Sequence, residues 1–449
     1  MKKKLIYLII MALLVVTVVA CGNGGGDAPA APAADEADAD DGAGEADETP
    51  APVEDAGYIT WMLLDWGNLD EEKFIPFTEE TGISVVLDRY GFNELFEVIE
   101  VRIAAGTSDF DVISVDVPMV AAYATRGYIM PVDEWFTADD KAQWIPSAVE
   151  AGSWQGVFYA PPMNTSTQAL FYNIDLLAEA GVTIRDSDVN NRLTYEELEV
   201  YARAVLDAID PDRNLGYEGI VFQQVSRTYQ MNSLANSRGQ QNIGPDGLTV
   251  DGVINTDEWV YAFTWWQRLF EEGLALRGFT PEDSSPNFNS GRTVFMIGGT
   301  WTPTGIADVN FGFTALPAWR GFEDQVGSPT GSWHFGINSG SEKADMAAEF
   351  IRYMSLGEGN DLWLAANNDV PSTMRAIEAI LNDPNADPLM QIAVHEAAYT
   401  AVPRALTPGF SEYQTIMNNT FEDIRNGADV RQALNDAVAQ ITSAMDRYR

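Results

Sequence analysis

Short apolar runs alternate with amphipathic stretches from Tyr58 onward. Tyr58-Ile59-Thr60-Trp61-Met62-Leu63 predicts a strand, residues 70–81 a helix stopped by Gly82, and Ile83-Ser84-Val85-Val86-Leu87 a second strand. Asn93 is placed to cap a helix that carries Leu95, Phe96, Ile99 and Ile103 on one side and ends at Gly106, ahead of a third strand at Asp111–Asp116. Strands and helices alternating at this spacing give βαβ units and a mostly parallel sheet, the α/β class. Further along, helices dominate. Thr194-Tyr195-Glu196-Glu197 is a capping box, the Thr hydroxyl and Glu carboxylate satisfying opposite orphan amides. Asn255 with Glu258 predicts the same before a helix through Trp259, Phe263, Trp266 and Phe270 to Gly273. Ser341 heads a predicted helix bearing Ala347, Ala348, Ile351 and Met354, and Asp429 one bearing Leu434, Val438, Ile441 and Met445. Three- and four-residue spacing puts each set on one buried face, so most of these apolar and aromatic residues are core.

Ahead of Tyr58 the pattern changes. Three lysines precede sixteen uncharged residues, Leu5 to Ala20, and then comes Cys21, the only cysteine. This is a secretory signal whose apolar run is short for a membrane span. Val18-Val19-Ala20-Cys21 resembles a bacterial lipobox, in which Cys21 would be lipidated and become the first mature residue; an ordinary signal peptide with an incidental cysteine is the plainer reading. From Gly22 to Gly57 there are eleven Asp or Glu, no Lys or Arg, and no aromatic residue. Such a segment buries nothing and repels itself, so it is expected to be an extended, disordered tether.

Charge narrows the function. The 449 residues carry 26 basic and 67 acidic side chains, a net charge of −41, of which the body 58–449 holds −33. A surface this negative repels phosphate backbones and anionic headgroups, which excludes nucleic acid as a partner. With 46% hydrophobic and 11% aromatic residues the chain can still bury large cores. One cysteine and two histidines, His334 and His395, leave no intrachain disulfide and no His/Cys zinc site. Gly-x-Ser-x-Gly, His-Glu-x-x-His, a phosphate loop and a Gly-x-Gly-x-x-Gly turn are all missing. Asp210-Pro211-Asp212-Arg213-Asn214-Leu215-Gly216 departs from calcium-loop spacing and reads as a capped turn. No metal and no cofactor is expected.

What stands out is a set of aromatic and amide residues at predicted strand ends and in Gly/Pro-rich turns: Asp65-Trp66, Asp116, Asn164-Thr165, Gln223, Trp301 and Trp333-His334. Ligands of open α/β sheets sit outside the carboxyl ends of parallel strands. An indole packs on the C–H face of a sugar ring while Asp and Asn take its hydroxyls, so a carbohydrate cleft is favoured, with core packing the alternative for any single tryptophan.

Longer motifs sharpen this. Trp154-Gln155-Gly156-Val157-Phe158-Tyr159-Ala160-Pro161, followed by Leu170-Phe171-Tyr172-Asn173-Ile174-Asp175-Leu176-Leu177, resembles a paired segment of the family-1 extracellular solute-binding proteins, the maltose-binding-protein-like receptors of sugar ABC importers. Thr194 to Leu198, Asn289 to Trp301, Gly336 to Ser339, Val370-Pro371-Ser372 and Asn426-Gly427 to Leu434 are similar to later marks of that family, in its order. The resemblance implies an α/β fold of the type II periplasmic-binding-protein kind, with ligand in a cleft between two lobes. It implies crossings near Asn164–Leu170, Thr330–Asn338 and Ala401–Ser411, one lobe of 58–165 with 340–400, and another of 166–339 with 401–449. Cleft positions carry over to Trp66, Asp116, Asn164, Trp301 and Trp333, and less directly to Asp65, Thr165, Gln223, His334 and Arg404. Ser332-Trp333 stands where the family often has Gly-Gly, which suggests a bulky side chain near the cleft.

The implied function is a monomeric, lipid-anchored receptor on the outer face of the bacterial membrane, without catalytic residues. It would deliver a neutral mono- or oligosaccharide to permease subunits served by a separate ATPase. A receptor of the same fold for a polyol phosphate and a secreted glycan-acting enzyme are the rivals.

Overall fold

Residues 56–107 and 109–449 are described in the computed structural model. The signal and lipobox, Cys21 included, and nearly all of the acidic tether lie outside them. The βαβ alternation read from the opening of the body builds the first sheet. β1 (Gly57–Leu64), β2 (Ile83–Tyr90) and β3 (Val112–Asp116) run parallel, with β1 between the other two. β4 (Ser153–Trp154) and β5 (Val157–Phe158) form a short hairpin. The second sheet is made of β6 (Gln168–Asn173), β7 (Glu218–Phe222), β8 (Thr293–Gly299) and β9 (Phe311–Ala315), in the order β7-β8-β6-β9. The chain then runs through β10 (Ser328–Pro329) into β11 (Trp333–Ile337), which joins the first sheet to give the order β11-β3-β1-β2. β12 (Ala401–Val402) pairs parallel with β10.

The expectation of a mostly parallel sheet holds for β1–β3 and for β7 with β8, and fails at β6, β9 and β11. β11 is antiparallel to β3, and β6 is antiparallel to both β8 and β9. The reason lies in direction of entry. β1, β2, β3 and β8 run toward the seam between the sheets and end there. β6 and β11 carry the chain in from a crossing, so they start at the seam, with Gln168 opposite Gly299 and Trp333 opposite Asp116.

Helix starts follow local chemistry. Thr194 Oγ1 accepts the Glu197 N–H at 3.2 Å while Glu197 takes the Thr194 N–H at 2.8 Å, and the Asp429 carboxylate accepts from Gln432 at 2.8 Å. Three expected caps move. Thr256 caps the Asp257–Glu271 helix, because Asn255 Oδ1 is taken by the Gly252 N–H that closes the preceding turn. Ser341 donates to Asp111 Oδ1 at 2.6 Å, and the following helix starts at Ala344. The helix assigned to Asn93 begins at Phe92, after Gly91. The Asp210 carboxylate accepts from the Asn214 and Leu215 amides, a capped turn as expected.

Trp259, Trp266, Trp319 and Trp61 are fully buried, so most indoles belong to the core. The Pro388–Tyr399 helix touches both sides: Val394 and Ala397 pack with Ile145 and Ile377, while Leu389 packs with Ala169, Phe171 and Met296 of the second sheet. Among the described residues, no helix is long and apolar enough to cross a membrane.

Candidate functional site

Three parallel strands of the first sheet bring their carboxyl ends to the seam. β1 leads into Asp65 and Trp66, β2 into Gly91 and Phe92, and β3 ends at Asp116, the register partner of Trp333. Trp66 is 42% exposed and meets Trp363 and Trp333 edge-on, with ring centroids 6.0 and 6.2 Å apart. The turn that follows lies on the Trp363 indole: a Cβ at Gly67 would come within 2.9 Å of it, so the close approach requires glycine. Trp333 is almost covered. It stacks on Phe96 at 6.2 Å with 29° between planes and takes Phe92 edge-on at 6.1 Å.

The first crossing pins this wall. The Asn164 amide donates to Asp369 Oδ2 at 2.5 Å, and its Oδ1 accepts the Trp333 N–H at 2.9 Å. The same Asp369 oxygen accepts the Trp363 Nε1–H at 2.8 Å. Burial pushes the Asp369 carboxyl above its ordinary range, with these two donors pulling the other way. Thr165 is buried, its hydroxyl 3.0 Å from that of Ser332, so it ties the first crossing to the second.

The second sheet supplies the opposite wall. Trp301 is 39% exposed, lies over Gly299, and stacks on Tyr229 at 5.8 Å with 20° between planes. Gln223 sits behind it. Its Oε1 accepts from the Gly299 amide at 3.1 Å, from Gln230 at 3.1 Å and from Thr302 at 3.2 Å, and its amide donates to Ser285 at 3.1 Å. Gln223 is therefore a brace for the turn that carries Trp301.

Between the walls, Arg404 pairs with Asp116. Arg404 also donates through Nε to the Thr330 carbonyl at 3.0 Å, and its guanidinium lies 5.2 Å from the centroid of the Tyr229 ring. The Tyr229 hydroxyl is 3.0 Å from Ser166 Oγ, and burial pushes it up to about 12. Desolvation raises the Asp116 carboxyl and the Arg404 charge opposes it. Contacts thus run without a break from Trp66 through Trp333, β11 and Asp116 to Arg404, Tyr229 and Trp301.

His334 is separated from this group. Adjacent strand residues point to opposite faces, and with Trp333 turned to the seam His334 has no exposure, its Nε2 lying 3.0 Å from the Ala148 carbonyl. Burial lowers its pKa to about 4, so it is a neutral packing residue at neutral pH. Tyr229, Phe92, Trp363 and Asp369 enter the group without having been picked out in the sequence. Among the described residues, no group of three or more His, Cys, Asp or Glu side chains is arranged to hold a metal ion.

The sequence model of a family described as bacterial extracellular solute-binding protein matches residues 74–392. A galactooligosaccharide-binding protein of Bacillus subtilis (strain 168) is 20% identical over 84% of this chain and 87% of its own. An sn-glycerol-3-phosphate-binding periplasmic protein of Rhizobium meliloti (strain 1021) is 24% identical over 72% of this chain and 77% of its own. Among solved structures, an ABC substrate-binding protein of Listeria monocytogenes in complex with cycloalternan superposes with a TM-score of 0.70 at 21% identity, covering 87% of this chain and 99% of that one. The maltose-binding periplasmic protein of the same organism, in complex with maltose, gives 0.72 at 19% identity, covering 88% and 100%. At these identities the superpositions show the fold: two α/β lobes of the type II periplasmic-binding-protein class.

Proposed function

The chain belongs to the bacterial extracellular solute-binding proteins, an extracytoplasmic family, and from that premise we propose that it is the receptor of an ABC importer for a neutral sugar. It captures the ligand between the two walls of the seam and presents it to membrane permease subunits. The observation that supports this most is the unbroken run of aromatic rings on both walls with the Asp116–Arg404 pair between them. Indole faces suit the C–H faces of pyranoses, and a carboxylate beside a guanidinium takes vicinal hydroxyls in bidentate fashion. The names of the Bacillus relative and of the two Listeria neighbours point to the same ligand class.

A ligand that touches both walls is held fully only when they are close, so it shifts an open–closed equilibrium by its differential affinity. The crossings at 164–168, 328–333 and 400–404 are the hinge in this reading, with 58–165 and 340–400 assigned to one lobe and 166–339 and 401–449 to the other. Cys21 carries the lipid anchor and the acidic segment is the tether that keeps a monomeric receptor at high effective concentration near its permease. The sugar leaves chemically unchanged.

The Rhizobium relative makes a phosphorylated polyol the second reading. Against it, the Arg404 charge is spent on Asp116, and a body at −33 repels anions. A thermal-shift panel of maltose, maltotriose, galactobiose and sn-glycerol 3-phosphate decides. Ligand at 100 times its Kd stabilises by about 2.7 kcal/mol, a clear rise in Tm. The sugar reading fails if only the phosphate raises Tm. Recovery of the sugar in shortened form after incubation would revive the enzyme class.

A further inference from the structure

Behind the second wall the backbone takes a turn that its own sequence does not favour. β7 ends at Phe222, and the chain bends into the Thr228–Asn236 helix, which carries Tyr229. The Arg227 N–H closes the bend on the Gln224 carbonyl at 3.0 Å, yet Gln224-Val225-Ser226-Arg227 contains no Gly, Pro, Asn or Asp. Its third residue, the buried Ser226, sits at a φ of 62°, in the left-handed region that glycine enters freely and serine does not. Backbone strain of this kind persists only where the surroundings over-determine it.

The surroundings are specific. From one side Gln230 spans the bend: its Oε1 accepts the Gln224 N–H at 2.7 Å and its amide donates to Gln223 Oε1 at 3.1 Å. From the other side the Phe410–Arg425 helix grips it. The Ser226 hydroxyl donates to one Glu422 oxygen, with the Val225 carbonyl at 2.6 Å as the alternative acceptor. The other Glu422 oxygen accepts from Arg425 at 2.5 Å, and the buried Arg425 is itself fixed by donating to the Phe279 carbonyl at 2.6 Å. One helical turn earlier, Asn418 Oδ1 accepts the Thr228 N–H at 3.1 Å, in place of the side-chain cap that Arg227 does not supply. Arg404 shortly precedes the same helix, so the segment that brings the guanidinium beside Tyr229 also holds the bend from which Tyr229 emerges.

We propose that Ser226, Asn418 and Glu422 are positioning residues for ligand binding: they hold the 224–228 bend in its strained form and thereby set the Tyr229 ring against Trp301 and Arg404. None of the three is required to touch the ligand. The proposal rests on the sugar-receptor reading and adds to it residues that act through Tyr229.

Calorimetry on the intact protein, with maltose, maltotriose and galactobiose as probes, tests it well below Tm, where a loss of stability alone does not move affinity. Ser226→Ala and Ser226→Gly both remove the hydroxyl and differ in whether the residue accepts a positive φ. Ser226→Ala is expected to weaken binding of the best probe about three- to tenfold, and Ser226→Gly to stay within about twofold of wild type. Glu422→Ala should lose as much as Ser226→Ala. Adding Ser226→Gly to Glu422→Ala should recover most of that loss, because a glycine at 226 holds the bend without the clamp. Equal affinities in Ser226→Ala and Ser226→Gly, or a Glu422→Ala loss that Ser226→Gly leaves in place, overturns the positioning role and leaves the receptor reading standing. Should Glu422→Ala fail to fold, the alanine–glycine comparison at 226 decides alone. Absence of binding by every probe to wild type overturns both.

Discussion

Two buried ion pairs occupy different regions of this protein and are built to different standards. Arg192 and Glu396, 4% and 0% exposed, meet through two nitrogens and two oxygens at 2.5 and 3.2 Å. Glu396 also accepts from the Leu316 amide and Thr400, and Arg192 donates to the Leu316 carbonyl at 3.0 Å. The pair fastens the Pro388–Tyr399 helix to the segment after β9, with each Glu396 oxygen accepting two hydrogen bonds. Asp116 and Arg404, 13% and 10% exposed, touch through one nitrogen and one oxygen across the seam. The chemistry is the same, but the second pair keeps lone pairs and N–H groups free for something else. A saturated carboxylate suits a structural pair, and spare capacity at a strand end suits the ligand-binding role proposed for Asp116 and Arg404.

Breaking the saturated pair should have the largest effect. Glu396→Ala leaves Arg192 buried and unpaired and is expected to cost about 3–5 kcal/mol in urea unfolding. Asp116→Asn should cost well under half of that in the same experiment while weakening sugar binding at least tenfold by calorimetry. Equal stability losses, with affinity untouched, would erase the distinction.

A third buried acid tests the same contrast by pH. Burial raises Glu218 to about 7, against hydrogen bonds from Asn287 and the Leu276 amide. Because the folded state keeps the proton that the unfolded state releases near pH 4.5, Glu218 favours folding below that pH. Its contribution declines as pH rises toward 7, by about 3 kcal/mol at most. His334 acts with the opposite sign, its neutral folded form losing stability as pH falls from 6.5 toward 4. Glu218→Gln should flatten the decline, seen as a smaller drop in Tm between pH 5 and pH 7.5. An unaltered pH profile would show that Glu218 is ionised throughout.

Smaller still is the effect expected at Asp369. Its one oxygen serves both Asn164 and Trp363, so Asp369→Leu should cost about 1–3 kcal/mol and loosen the Trp66 wall, while Asp369→Asn, which can keep a carbonyl oxygen there, should cost less. Equal losses in the two variants would mean that the charge matters rather than the shared acceptor.

How far the sequence carried depends on range. β1–β3, the Thr194 and Asp429 caps and the exposed Trp66 and Trp301 rest on local pattern, and local pattern was enough to locate them. Asp369 meets Asn164 across 205 positions, and Tyr229 lies in a helix buried on every side, so neither shows a local signal. The displacement of His334 was legible: period-two alternation forbids two adjacent strand residues from facing one cleft. Phe92 was legible too, as the one carboxyl end of the three parallel strands left out of the candidate set. Gln223 was placed in the right turn, but its role as a brace depends on three donors that only the fold brings together.

The central claim is that one sugar touches both walls. The most direct measurement is the calorimetric affinity of Trp66→Ala and Trp301→Ala for the same oligosaccharide. Each variant is expected to lose more than about 1 kcal/mol of binding free energy with its Tm little changed. A sugar that binds wild type tightly and either variant without loss would contradict the two-wall account.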